Sequence, residues 1–320
     1  MYILSVFEIR RYHPAQADEW NRFVAESKNA TFLMDRNYMD YHSDRFHDHS
    51  LMVYRRGRLY ALLPANEKAD GLFESHGGLT YGGLIMSRHC TGAEVTEVMR
   101  LVCHYLREQG FRKVLYKPVP WIYHRQPSEE DLYALFAVCD ARIIARGLSA
   151  TVTRDDRNAL YRIRQMGCRR AEAEGVIVGE SDDMAPFWEI LTHNLQTRYQ
   201  LNPVHTLQEM ELLRSRFPEQ IRFFSASRQG QVLGGTVLYV TPRVVHSQYI
   251  AASDEGRHCH VLDLLFSKVM EKAFETHPYF DFGISTERDG DYLNEHLAYQ
   301  KEGFGGRGLC YDHYEWMLNE

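Results

Sequence analysis

The 320-residue chain lacks any Cys-x-x-Cys pair, any long apolar run and any long charged heptad run. Its six cysteines, at positions 90, 103, 139, 168, 259 and 310, are scattered. That scatter argues against a structural zinc site and for a reducing compartment, so no metal and a cytoplasmic location are expected. No apolar run reaches the roughly 18 residues of a membrane-spanning helix, so no span is expected. Residues 1–8 hold a short apolar stretch with neither a basic start nor a cleavage site, and read as a first strand rather than a signal peptide. The net charge of −6 disfavours a broad nucleic-acid surface. What remains is an ordinary globular composition, 44% apolar and 25% charged, in a length that suits one large or two ordinary domains. A core of that size needs no disulfide or metal to hold it.

The chain repeats itself. Residues 49–64 read as a hairpin turning at Arg55-Arg56-Gly57-Arg58, and residues 221–238 as a second turning at Arg228-Gln229-Gly230-Gln231. Each is followed by strand, helix and strand. In the first half these fall at 78–86, 93–108 and 111–118, and in the second at 244–250, 261–274 and 279–284. Two copies of one α/β module, offset by about 170 residues, are therefore expected. A boundary between 145 and 155 divides the chain into 1–148 and 149–320. Further helices are expected at 15–26, 35–46 and 185–199, and behind the capping box Thr206-Leu207-Gln208-Glu209. A basic helix pair broken near Gly167 is expected over 156–174.

The clearest helix signal lies at 261–274, where apolar pairs at 261/262, 265/266, 269/270 and 273/274 repeat every turn. The preceding strand ends at Ala251-Ala252-Ser253, and residues 254–260 read as the turn between them. A strand, a tight turn and a helix start together make an anion site, because the first N–H groups of a helix have no partner inside it. A pyrophosphate fits there.

These residues resemble the core of the GNAT superfamily of acyl-CoA N-acyltransferases. Glu255-Gly256-Arg257-His258-Cys259-His260 stands where that family has Gln/Arg-x-x-Gly-x-Gly/Ala, with one glycine in place of two. Tyr299-Gln300-Lys301-Glu302-Gly303-Phe304 resembles its Tyr-x-x-x-Gly-Phe. A closer resemblance is to the two-domain branch that holds the Fem-type peptidyltransferases. Residues 300–306, Gln-Lys-Glu-Gly-Phe-Gly-Gly, are similar to its Phe-Lys-x-x-Phe-Gly-like signature, with glutamine replacing the aromatic. Residues 164–176 resemble its arginine-rich helix ending in Ala-Glu-x-x-Gly-Val.

The resemblance implies an α/β fold of mixed sheets, in tandem GNAT-like modules with the ligand cleft between them and the donor site in the second. It implies N-acyl transfer from acetyl-CoA or another acyl-CoA to the amine of a small polar acceptor, such as an amino sugar or a cell-envelope precursor. The donor's pyrophosphate would lie on Ser253, Glu255, Gly256, Arg257, His258, Cys259 and His260. Tyr299 would protonate the leaving thiolate, and Arg198, Tyr199 and Lys301 would hold the acceptor. For the base, His246 and Glu287 are candidates. His246 is either aimed at the cleft or a hydrogen-bonded sheet histidine. Glu287 either sits at the carboxyl edge of a strand, where open α/β sheets bind ligands, or is a solvated loop residue. Arg157, Arg162, Arg164, Arg169 and Arg170 are either a solvated helix face or the lining for an anionic acceptor. Two other functions stay open. One is an aminoacyl-tRNA-dependent Fem-type peptidyltransferase, against which the acidic charge and the missing helical arm count. The other is a non-catalytic binding module on a decayed acyltransferase scaffold.

Overall fold

Both repeated hairpins close on the same two-residue turn. Arg56 and Gly57 take φ of 49° and 78°, and Gln229 and Gly230 take 51° and 81°. Two successive left-handed residues give a turn whose twist matches the flanking strands. Each hairpin also shifts register at the corresponding place, between Val53 and Tyr54 in the first and between Ala226 and Ser227 in the second.

The structure is a computed structural model that describes residues 6–318. Of the strand expected over 1–8, residues 1–5 lie outside the described range. The first half holds β1 (Phe7–Arg11), α1 (Ala17–Glu26), α2 (Arg36–Met39), β2 (His47–Asp48), β3 (Leu51–Arg55), β4 (Arg58–Leu63), β5 (Asn66–Lys68), β6 (Leu72–Glu74), β7 (Ile85–Met86), α3 (Gly92–Glu108), β8 (Lys113–Tyr116) and α4 (Glu130–Val138). The second holds β9 (Arg142–Thr153), α5 (Arg162–Ala173), β10 (Ile177–Glu180), α6 (Ala185–Tyr199), α7 (Leu207–Arg216), β11 (Ile221–Arg228), β12 (Gln231–Val240), β13 (Val244–Ala252), α8 (Asp254–His258), α9 (Val261–Ala273), β14 (Tyr279–Ile284), β15 (Thr286–Glu287), β16 (Tyr292–Leu293), α10 (Glu295–Glu302) and β17 (Arg307–Met317).

The chain divides into two units at Gly147/Leu148, beside the boundary expected from sequence. The division is not purely sequential, because residues 289–291 and the chain from Cys310 on belong to the first unit. The cause is strand pairing: β17 lies antiparallel on β8, with Trp316 opposite Val114. In the first unit β1, β3, β4 and β7 form one antiparallel sheet, while β17, β8, β6, β5 and β2 adjoin in that order. Leu51, Val98, Val102, Leu106 and Trp316 are in its core. In the second unit the order is β10-β11-β12-β13-β14-β9. Phe266 of α9 packs there on Phe280, Phe282 and Phe304. In each unit one parallel strand pair, β6 with β8 and β13 with β14, is joined in the chain through the unit's long helix. The α/β tandem repeat read from the sequence is thus the observed architecture.

Four local expectations are corrected. The strand expected at 78–86 shrinks to Ile85–Met86. Before it Gly83 turns the chain out of strand geometry with φ of 72°, and its neighbours come close: a Cβ on Gly78 would stand 2.1 Å from His42 Nε2, and one on Gly82 2.6 Å from the Ser75 carbonyl oxygen. The helix expected at 35–46 is only α2 followed by a 3-10 turn at Asp40–His42. The pair expected over 156–174 is the single helix α5, and Gly167 does not break it. That glycine is needed for close approach, since a Cβ there would lie 1.9 Å from Asp263 Oδ2 of α9. The turn expected over 254–260 is largely the short helix α8, capped by Ser253, whose hydroxyl accepts from Gly256 N–H.

Candidate active site

β13 and β14 pair over three residues only: Val244 with Tyr279, Val245 with Phe280 and His246 with Asp281. β14 then shifts register against β9 and turns through Gly283, whose φ is +76°. Beyond the last pair lies a cavity of about 410 Å³, a size usual for small-molecule sites. Ile250, Ala251 and Ala252 line it from β13 and Phe282 from β14. Asn194 and Arg198 of α6, the start of α9 and Lys301 of α10 complete the wall. Every lining residue belongs to the second unit.

The cavity is rich in cations. Lys301 Nζ donates to the carbonyl oxygens of Gly283, at 2.9 Å, and Ile284, at 2.6 Å. Burial pushes its ammonium down to about 8, against a smaller opposing pull from Asp281. Arg164 of α5 donates to Asp263 Oδ1 at 2.7 Å, and His260 Nδ1 lies 3.2 Å from Asp263 Oδ2. Arg257 donates to the Ala252 carbonyl oxygen at 2.7 Å and pairs with Asp254. The first N–H groups of α9 are those of Val261 and Leu262, both of which line the cavity. A helix start with three arginines around it attracts anions.

The backbone N–H groups of residues 256–260 do not form an open cradle. Gly256 N–H goes to Ser253 Oγ, Arg257 N–H to the Ser253 carbonyl, Cys259 N–H to that of Glu255 and His260 N–H to that of Arg257. Gly256 meets a packing demand here, because a Cβ on it would stand 2.2 Å from the Leu233 carbonyl oxygen. Of the seven residues expected at the donor phosphate, Gly256, Arg257 and His260 line the cavity. Ser253 caps α8, Glu255 pairs with Arg228, and His258 Nδ1 contacts the Asp254 carbonyl oxygen. Cys259 is buried and accepts from Arg228 at 3.0 Å.

Arg198, Tyr199 and Lys301, expected at the acceptor, all line the cavity. Tyr299, Glu287 and His246 do not. Tyr299 is 52% exposed with its ring against Tyr161, and Glu287 is exposed and accepts from Asn294. His246 sits at the last paired position, its Nδ1 2.8 Å from Asp281 Oδ2. Of the arginines on the 157–170 segment, Arg164 lines this cavity, Arg157 lines a second one near Phe274, and Arg162, Arg169 and Arg170 are exposed. Sequence reading missed Asp263 and Asp281. Each was visible as a lone carboxylate inside an apolar element, in Val261-Leu262-Asp263-Leu264 and in Tyr279-Phe280-Asp281-Phe282.

Residues 153–293 match the family model of an acetyltransferase (GNAT) domain. No curated protein matches the chain in sequence. Among solved structures, FemX is similar over 98% of both chains, with a TM-score of 0.69 at 12% identity. L-PGS from Bacillus licheniformis is similar over 95% of this chain and 91% of its own, with a TM-score of 0.63 at 12% identity. A tandem GNAT protein from the clavulanic acid biosynthesis pathway is similar over 98% of this chain and 99% of its own, with a TM-score of 0.51 at 14% identity. At such identities the likeness is one of fold.

Proposed function

We propose that this chain, a two-domain protein of GNAT fold related to the Fem-type transferases, is an N-acyltransferase that uses the cavity between β13 and β14. The observation that carries this reading is the cavity itself: two strands that cease to pair, a helix start between them, and Arg164, Arg198, Arg257 and Lys301 around it. The donor is an acyl-CoA in this reading. Its phosphates meet the α9 start, Arg257 and His260, and its thioester lies along β13. Arg198, Tyr199 and Lys301 hold a small polar acceptor, an anionic amine such as an amino sugar on a nucleotide or an envelope precursor. The amine nitrogen bonds to the acyl carbon, the carbon–sulfur bond breaks, His246 takes the amine proton and the thiolate leaves. Titration calorimetry with acetyl-CoA and longer acyl-CoAs tests the donor, and free-thiol release across a panel of amines tests the reaction. Micromolar binding with amine-dependent thiol release is expected. A folded sample that binds no acyl-CoA overturns the donor assignment.

The closed α8 helix favours a second reading, in which the donor is an aminoacyl-tRNA. The N–H groups that would cradle a pyrophosphate are already used inside the segment 253–260. Transfer of a labelled amino acid from charged tRNA to an amine, with no thiol release from acyl-CoA, is the result that selects it.

A further inference from the structure

Asp281 is fully buried in the middle of β14, with two hydroxyls and an imidazole nitrogen at hydrogen-bond distance from its carboxylate. Ser149 Oγ donates to Oδ1 at 2.5 Å and Thr151 Oγ1 donates to the same oxygen at 2.8 Å. His246 Nδ1 stands 2.8 Å from Oδ2. We propose that Asp281 is a positioning residue, which fixes His246 with its proton on Nδ1 and leaves Nε2 as the proton acceptor of the reaction. The role assigned to Nε2 rests on the acyltransferase reading above; the tautomer does not.

The argument begins with strand register. Asp281 faces His246 across the last parallel pair and Thr151 across the antiparallel pair with β9, and Ser149 is two residues further on the same face. Three neighbouring strands therefore bring one carboxylate, two hydroxyls and one imidazole to one side of the sheet. Burial pushes the Asp281 carboxyl up, but the bond and the charge of His246, with the bonds from Ser149 and Thr151, leave it below its ordinary value. An ionised carboxylate has no proton to give, so the imidazole nitrogen facing it must be the donor. Neutral histidine carries a single ring proton, and Nε2 is then unprotonated.

Gly283 makes room on the other side. A Cβ there would stand 3.3 Å from His246 Cε1 and 3.9 Å from Nε2. The same residue's carbonyl oxygen holds Lys301 Nζ, which lines the cavity. The imidazole edge thus stands outside the cavity lining but against Gly283, one of the two β14 residues whose carbonyl oxygens hold Lys301.

The two hydroxyls sharpen the test. Because both donate to Oδ1, an asparagine at 281 is held with its amide oxygen at that position and its NH₂ toward His246. The ring must then accept at Nδ1, and its proton moves to Nε2. Nitrogen-15 NMR of the full chain, above pH 7, reads this without any substrate. In wild type His246 should show a protonated Nδ1 and an unprotonated Nε2; Asp281→Asn should invert the pair. The inversion should also lower kcat by roughly 10²-fold or more, with KM for both substrates within about threefold. A wild-type His246 protonated on Nε2 overturns the proposal, even should Asp281→Asn fail to fold. So does a folded Asp281→Asn with the wild-type tautomer. Should the tautomers behave as stated while no acyl donor is ever turned over, the positioning stands and the acyltransferase reading falls.

Discussion

Arg164 and Asp263 face each other from two helices, with Nη1 donating to Oδ1 at 2.7 Å in the opening turn of α9. The Asp263 side chain is 4% exposed and that of Arg164 17%. Removing the cation leaves a buried carboxylate with only His260 beside it. Arg164→Ala should therefore lower stability by about 3 kcal/mol, the low end for breaking a buried pair. Urea unfolding measures it, and an unchanged midpoint would show that the pair contributes nothing.

Gly167 offers the same contact from the side of backbone packing. Alanine is usually favoured over glycine inside a helix by about 1 kcal/mol. Here its Cβ would lie 1.9 Å from Asp263 Oδ2, so overpacking wins and Gly167→Ala should destabilise by about 2 kcal/mol. In an Asp263→Ala background, where the carboxylate is gone and only the Cβ at 263 remains close, at 3.0 Å, the same substitution should cost clearly less. A destabilisation that persists unchanged in that background would refute the steric explanation.

Lys301 makes stability depend on pH. Its folded value is about 8 against 10.5 for a free lysine. Between those values the unfolded chain binds more protons than the folded one, so stability rises with pH across this window. Below about pH 8 both states are protonated, and the folded state carries the full penalty, roughly 3 kcal/mol. Lys117 in the first unit is also lowered to about 8 by burial and adds a similar slope. The comparison is therefore between wild type and Lys301→Met, in which Lys117 cancels. The difference in unfolding free energy should grow in favour of wild type from pH 8 to 10.5. A flat difference would mean that Lys301 titrates normally.

Tyr299 separates resemblance from geometry. Resemblance makes it the acid for the leaving thiolate, which implies a loss of about 10²-fold in Tyr299→Phe. The ring lies outside the cavity and half in solvent, against Tyr161. From that position we expect turnover within about threefold of wild type. Steady-state thiol release decides, and a hundredfold loss would restore the resemblance's assignment. Lys301→Ala, in the same assay, should raise the acceptor's KM more than it lowers kcat.

Much of the fold was legible because it rests on local signals. Two Arg-x-Gly turns specify two left-handed pairs, and the four-residue apolar rhythm of 261–274 specifies α9. The capping box at Thr206 formed as written, with its side chain on the Glu209 N–H. The helix expected at 35–46 failed without a glycine, but two other failures fell at glycines. Gly167 reads as a helix break and Gly256 as part of a phosphate turn, and each is a place where another segment comes within the reach of a Cβ.

The site divides along the same line. Arg198, Tyr199 and Lys301 could be named from the family resemblance, and Arg257 and His260 from the helix start beside them, and all five line the cavity. By itself the sequence determined the two α/β modules, their order and the helix start that lines the cavity, since periodicity, turn chemistry and caps act within a few residues. Tertiary structure alone decided that β13 and β14 stop pairing after His246 and Asp281, that residues 254–258 close into a helix, and that Asp281 gathers Ser149, Thr151 and His246. Those arrangements depend on register between strands up to 132 residues apart in the chain, and no local pattern encodes which side chains a register brings together.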